Sequence, residues 1–80
     1  MSGTIDANAI LVFAKVVEAG SFVGASKELD MPTSTVSRKV SELEARLGAR
    51  LLQRTTRSLS LTDEGRIYYA HAARVAAEVE

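Results

Sequence analysis

Residues 21–47 read SFVGASKELDMPTSTVSRKVSELEARL, a pattern of two short amphipathic helices separated by a tight break. In the second helix, apolar side chains recur at spacings of four, three and four residues, at Val36, Val40, Leu43 and Leu47. This spacing places them on one face of an α-helix. We therefore expect that face to pack into a core.

The preceding helix carries a shorter apolar stripe, formed by Phe22, Ala25 and Leu29. Ser21 is a suitable N-cap residue, and the sequence Asp30-Met31-Pro32 breaks the chain before the second helix begins. Ala25 is small, as a close crossing of two helices requires. The pair is predicted to form a helix-turn-helix.

The polar face of the second helix consists of small hydroxyl residues and one arginine, namely Ser34, Ser37, Arg38 and Ser41. Hydroxyl and guanidinium groups hydrogen-bond to phosphates and base edges, and Arg binds guanine with two hydrogen bonds. The helix N-terminus would also direct its free amides at a phosphate. The alternative is that Thr33 or Ser34 merely caps the helix.

Two carboxylates, Glu42 and Glu44, follow in the later part of this helix. Phosphates would repel them, so the sequence predicts that residues 33–39 are the part that meets DNA.

Charge is unevenly distributed along a chain whose formal net charge is zero. Residues 33–61 contain six Arg or Lys and two Glu, which gives +4. Residues 1–32 and 62–80 each contain two basic and four acidic side chains, which gives −2 for each flank. This asymmetry is typical of a one-sided DNA-binding surface, and a merely solvated basic face is the alternative.

Further elements flank the helix-turn-helix. Asp6 or Asn8 is expected to cap a first helix that ends at Gly20. Its polar face lacks the basic cluster of a membrane-binding helix. Residues 51–54 and 59–61 are predicted to be short strands of a hairpin, the wing.

A last helix is expected to begin after Thr62. We interpret an apolar seam on it as a dimer interface formed by Tyr68, Ala72, Val75 and Val79. Alternatively this stripe only covers the domain's own core, which is also expected to take Ile67.

Composition argues against several other classes of protein. The chain has no cysteine, and therefore no disulfide or thiolate metal site, and its lone histidine, His71, is expected at the surface. No nucleophile motif or phosphate-binding loop appears, so we predict no catalytic residues, no metal and no cofactor. Without an apolar span or a signal peptide, the expected location is the cytoplasm.

The order and spacing of these motifs resemble the N-terminal DNA-binding domain of LysR-type transcriptional regulators. The resemblance extends over nearly the whole chain. The matching motifs run from Phe13 to Gly65, through helix, helix-turn-helix, long recognition helix, Gly turn, Arg-Thr wing and Leu-Thr-x-x-Gly segment. One departure is that Pro32-Thr33-Ser34 stands where the family commonly has Ser-Gln-Pro.

The resemblance implies a mainly α fold, a winged helix-turn-helix with a three-helix core, a two-stranded wing and a C-terminal linker helix. Residues 1–62 would form the DNA-binding domain, and residues 63–80 would begin a linker and dimerisation helix. In the family this helix leads to an effector-sensing domain that binds a small molecule, so we expect the chain to be a fragment of a longer regulator.

We expect a homodimer that binds double-stranded DNA through the recognition helix and the wing. The predicted contact residues are Thr33, Ser34, Thr35, Ser37, Arg38, Lys39, Arg54, Thr56 and Arg57. For the wing residues the alternative is an ordinary polar turn. A second hypothesis for the whole chain is a winged-helix module for protein interaction, in which the last helix is the functional surface.

Overall fold

A computed structural model describes residues 6–54 and 59–79. Its elements, in chain order, are α1 (Ala7–Ala19), α2 (Phe22–Leu29), α3 (Thr33–Leu47), β1 (Leu52–Arg54), β2 (Leu59–Leu61) and α4 (Asp63–Val79). The mainly helical winged helix-turn-helix predicted from the sequence is therefore confirmed.

The core lies between α1, α2, α3 and α4. Its fully buried large side chains are Phe13, Leu43, Leu51, Leu52, Val12, Val16, Val36 and Val40. At both ends of α1 the sequence prediction holds, because the Asp6 carboxylate accepts the Asn8 N–H at 2.9 Å and Gly20 ends the helix at φ 76°. A wide apolar face thus anchors α1 at the centre of the domain.

The turn of the helix-turn-helix is built as predicted, with one difference at the start of α3. The Ser21 hydroxyl accepts the Gly24 N–H at 2.9 Å, and Asp30 ends α2 in the left-handed conformation at φ 57°. Pro32 occupies the cap position of α3 without a side-chain hydrogen bond. The alternative that Thr33 or Ser34 caps the helix is therefore wrong.

The Thr33 hydroxyl is used between the two helices. It donates to the Ser26 hydroxyl oxygen at 3.1 Å, and the Ser26 hydroxyl in turn donates to the Val23 carbonyl at 2.7 Å. Because Ser26 is buried, this short chain of hydrogen bonds ties the start of α3 to α2.

The wing is a two-stranded antiparallel sheet in which Leu52 pairs with Leu61 and Arg54 with Leu59. β1 begins at Leu52, one residue later than expected, because the backbone of Leu51 bonds outside the sheet. Leu51 and Leu52 are both fully buried, so the root of the wing is part of the core.

The backbone of Leu51 is held from α3 and from the start of α4. The Glu44 carboxylate oxygen Oε2 accepts the N–H groups of Leu51 at 2.8 Å and Leu52 at 3.2 Å. The Thr62 N–H donates to the Leu51 carbonyl at 3.0 Å, while the Thr62 hydroxyl accepts the Gly65 N–H at 2.9 Å. We call this arrangement of Glu44, Leu51, Thr62 and Gly65 the Leu51 junction.

α4 packs on α1 with a different face from the one that the sequence suggested. Ala72 is fully buried in the shared core, whereas Ile67 is 77% exposed. At about 100° per residue the two lie roughly 140° apart around the helix, so only one of them can face inward. The predictions of Ala72 in a dimer interface and of Ile67 in the core are both wrong.

Tyr68 also belongs largely to the domain's own packing. Its ring centroid lies 6.0 Å from that of Phe13, and Tyr69 approaches Phe13 edge-on at 6.3 Å. Burial raises the pKa of the Tyr68 phenol above its ordinary value.

Gly65 leaves no room for a side chain at the Leu51 junction. A Cβ there would lie 2.0 Å from the Leu51 carbonyl oxygen and 2.9 Å from its carbon.

We predict that Gly65→Ala lowers the free energy of unfolding by about 1 to 3 kcal/mol, as overpacking does, despite the better helix propensity of Ala. Chemical denaturation of the two proteins measures the difference. Ala70→Ser adds one heavy atom at an exposed position of the same helix and should change stability little; equal effects would contradict the close approach.

Glu44→Ala removes the acceptor from two backbone N–H groups at the root of the wing. Leaving buried donors unpaired costs on the order of 1 to 3 kcal/mol, so we expect a loss of that size in denaturant unfolding. Glu42→Ala is the matched control, because Glu42 is exposed and its bond among the described residues is to a side chain on the same helix. If both variants unfold at the same denaturant concentration, the Glu44 contact does not stabilise the wing.

Candidate nucleic-acid interface

The exposed side of α3 carries mainly short side chains around Arg38. Val36, Val40 and Leu43 are buried on the opposite side. Thr33 and Arg46 are also exposed, and the exposed residues nearest to Arg38 on the helix surface, with Arg38 itself, are Ser34, Arg38, Ser41, Glu42 and Ala45. We call these five residues the reading face. Because no bulky side chains surround Arg38, this side of the helix could approach the floor of the major groove of a DNA duplex closely.

The other predicted contacts on α3 lie at the edges of this face. Thr35 and Ser37 are half-buried on either side of it. Lys39 faces the start of α1, where its Nζ lies 3.6 Å from Asp6 Oδ2. The Thr33 hydroxyl donates to Ser26, so it is already used within the helix pair.

Arg38 has a partner on its own helix. Its Nη1 donates to Glu42 Oε2 at 3.3 Å, one turn further along α3, and both side chains are more than half exposed. An exposed pair at this spacing contributes only a few tenths of a kcal/mol to the helix, so it orients Arg38 without fixing it.

Arg54 reaches the site from the wing. Its guanidinium carbon lies 4.4 Å above the centroid of the Phe22 ring, at the first residue of α2. A cation over an aromatic face is attracted by about 0.5 to 1 kcal/mol at an exposed site. The contact holds Arg54 beside the helix-turn-helix, at an exposed position.

An open groove separates the later half of α3 from the wing. Its lining combines small residues with two arginines, including Ser41, Ala45, Ala49, Arg50 and Arg54. The lining also includes Glu44, whose carboxylate accepts hydrogen bonds from the backbone of Leu51 and Leu52. The small residues and the guanidinium groups suit the passage of a phosphate backbone. Arg50 belongs to the basic segment at residues 33–61 but is not among the contacts predicted from the sequence.

The two glutamates of α3 have different environments, a difference that is not predicted from the sequence. The side chain of Glu44 is only 11% exposed and binds the backbone of Leu51 and Leu52, with Arg50 Nε 3.9 Å away. No sequence signal identifies this role, because its partners are main-chain amides. Glu42 alone presents a carboxylate on the reading face.

The remaining predicted site residues divide into two groups. Thr56 and Arg57 lie outside the described residues. On α4, Val75 is half-buried and Val79 is 66% exposed, so Val79 is the member of the predicted dimer seam with the most free apolar surface.

Over residues 6–54 and 59–79, no three His, Asp or Glu side chains gather as a metal site would require. In the same part of the chain, no helix combines the length and apolar character needed to span a membrane.

Comparison with known proteins identifies the family. Residues 7–66 match the model of the bacterial regulatory helix-turn-helix proteins, LysR family. An HTH-type transcriptional regulator of Xanthomonas campestris is 57% identical over 77 residues, which is 96% of this chain and 22% of the relative. The HTH-type transcriptional activator AaeR of Escherichia coli is 52% identical over 69 residues, 86% of this chain and 22% of AaeR. The chain thus spans about a fifth of the length of these curated relatives.

Among solved structures, the fold superimposes on the crystal structure of the BenM DBD in complex with catB site 1 DNA. The TM-score is 0.87 at 32% sequence identity, and the match covers 92% of this chain and 83% of that one. The matched length, the sequence identity and the winged helix-turn-helix geometry all indicate the same family. The chain belongs to the LysR family of bacterial regulatory helix-turn-helix proteins.

Proposed function

We propose that this chain is the sequence-specific, double-stranded DNA-binding domain of a transcription regulator, with α3 in the major groove and the wing on the backbone or in the adjacent minor groove. The observation that carries the proposal is the reading face, an exposed strip of Ser and Arg on a helix whose other side is buried. The DNA complex of the structurally similar BenM DBD supports it. We infer that the function is binding rather than catalysis and that the protein is located in the cytoplasm.

Within this proposal the contacts on α3 have two roles. Arg38 reads a base edge, because it stands at the centre of the exposed face and has five N–H donors. Ser34, Thr35 and Ser37 bond to nearby phosphates or bases from positions around it. Thr33 contributes through the amide end of the helix, since its hydroxyl is bonded to Ser26.

The contacts outside the reading face fix the register on the duplex. Arg54 binds a phosphate next to the groove between α3 and the wing, and Thr56 and Arg57, whose contacts are predicted from the sequence alone, bind phosphate as well. Lys39 reaches a phosphate beside α1 by exchanging its exposed partner Asp6. Such contacts give affinity but carry no sequence information.

We also propose that the domain acts as a homodimer through α4, the linker helix that begins at residue 63. Val79 and the half-buried Val75 supply apolar surface for a second copy. A two-fold axis would place two α3 helices in major grooves about 34 Å apart, on a site with dyad symmetry. A small-molecule effector would act only through a further domain of the whole regulator.

Selection from randomised duplex DNA tests the proposed function. We expect the domain, at near-physiological salt, to enrich one motif with two-fold symmetry over several rounds. On that motif Arg38→Ala should cost about 1 to 3 kcal/mol at one base position and relax the preference there. Titrations against single-base variants of the selected site measure both effects.

Two results would contradict different parts of the proposed function. Equal loss on all sequences would mean that Arg38 touches only phosphate. Absence of any enriched motif, with binding that disappears as salt rises, would leave non-specific attraction and favour the protein-interaction module.

Substitutions of two exposed apolar residues, Val79 and Ile67, test the α4 interface. The two residues lie about 120° apart around that helix. We expect Val79→Glu to shift the monomer–dimer equilibrium toward monomer in sedimentation experiments, because a carboxylate would be desolvated in the contact. Ile67→Glu is the matched control and should leave the dimer intact. Dissociation by the Ile67 variant alone would move the interface to the outer face of α4, and an effect of neither would exclude a dimer through these faces.

A further inference from the structure

Glu42 occupies an unusual position for an acidic residue on a proposed DNA-binding helix. It is on the reading face, 58% exposed, with its carboxylate pointing along the helix to Arg38 rather than into the domain. Glu44, two residues on, is turned away to the Leu51 junction. A structural role explains Glu44, but the exposed Arg38 pair contributes too little stability to explain Glu42.

The pair leaves both side chains with unused hydrogen-bonding capacity. Arg38 donates through Nη1, and its guanidinium retains further N–H groups that fit the O6 and N7 acceptors of guanine. Glu42 accepts through Oε2, and a carboxylate has two oxygens with about four acceptor sites. Arg38 and Glu42 can thus remain bonded to each other while each contacts a base.

The spacing of Arg38 and Glu42 along α3 suits contacts with two neighbouring base pairs. Residues four apart on a helix are separated by about 6 Å along its axis, and stacked base pairs by about 3.4 Å. Long side chains that lean toward each other, as these two do, bring their polar ends closer than their Cα atoms. In the major groove the group that a carboxylate recognises is the N4 amine of cytosine.

We propose that Arg38 and Glu42 act as one reading unit, in which Glu42 accepts a hydrogen bond from the exocyclic amine of cytosine in the base pair next to the guanine bound by Arg38. The inference rests on the proposed DNA-binding function and adds a specificity-determining residue to it. Glu42 also orients the Arg38 guanidinium, to which it is hydrogen-bonded.

The same carboxylate lowers the affinity for unrelated DNA. Without an amine to accept from, Glu42 faces phosphates and acceptor atoms that repel it, and it offsets part of the attraction of Arg38. Glu42 therefore increases the ratio of specific to non-specific binding by penalising the wrong sequences.

Two substitutions of Glu42 test the proposal on the motif selected by the unaltered domain. E42Q replaces the carboxylate by an amide, which binds the N6 and N7 atoms of adenine, so the preferred base at that pair should change from cytosine to adenine. E42A should abolish the preference there, a loss of about 5- to 150-fold in discrimination. Both variants should bind unrelated duplex DNA more tightly than the unaltered domain does.

Glu64→Gln is the control, because it removes the same charge from an exposed position in the first turn of α4, outside the reading face and the apolar residues proposed for the dimer. It should leave the base preferences unchanged. Thermal unfolding of E42Q and E42A confirms that each is folded before its binding is compared.

The outcomes separate the two proposals. If the unaltered domain selects no motif, the proposed function fails. If it selects a motif but E42Q and E42A keep every base preference, or weaken all sequences equally, DNA binding stands and the role of Glu42 as a base reader is overturned.

Discussion

The backbone of Leu51 is held by α3 through Glu44 and by the start of α4 through Thr62, and the orientation of the wing depends on these bonds. Gly65 packs directly against the same carbonyl group. Three parts of the chain that are distant in sequence meet at this one residue. The recognition helix and the root of the wing are therefore fixed relative to each other before a ligand arrives, which reduces the ordering entropy lost on binding.

Most of the fold could be predicted from local patterns. Helical periodicity, the caps at Asp6 and Ser21 and the stop at Gly20 are short-range signals, and each one appears in the structure as expected. The buried face of α4 was harder to predict, because the helix is apolar on more than one side. Its rotation is set by the fit of Tyr68 and Tyr69 around Phe13 and by the contact at Gly65, and sequence spacing alone did not reveal that Ala72 faces inward and Ile67 outward.

The candidate site was predicted in outline, but the partners of individual side chains were not. The Ser and Arg face follows from periodicity, since every residue opposite a buried stripe is exposed. Thr33, Lys39 and Glu44 instead bond to groups that are remote in sequence, namely a hydroxyl on α2, the Asp6 carboxylate and two backbone amides. Such pairings depend on the tertiary arrangement, so residue type and spacing identify a polar side chain without its partner.

The segregation of charge has a consequence for how the domain meets a polyanion. A domain with zero net charge but a basic middle segment between acidic flanks has no net monopole, and the field of separated charges that sum to zero decays faster with distance than the field of a net charge. Attraction would be felt mainly within a Debye length, about 8 Å at physiological ionic strength, where the field also turns the basic side toward the phosphates. Encounters would be governed by orientation at close range, with little long-range acceleration of the association rate.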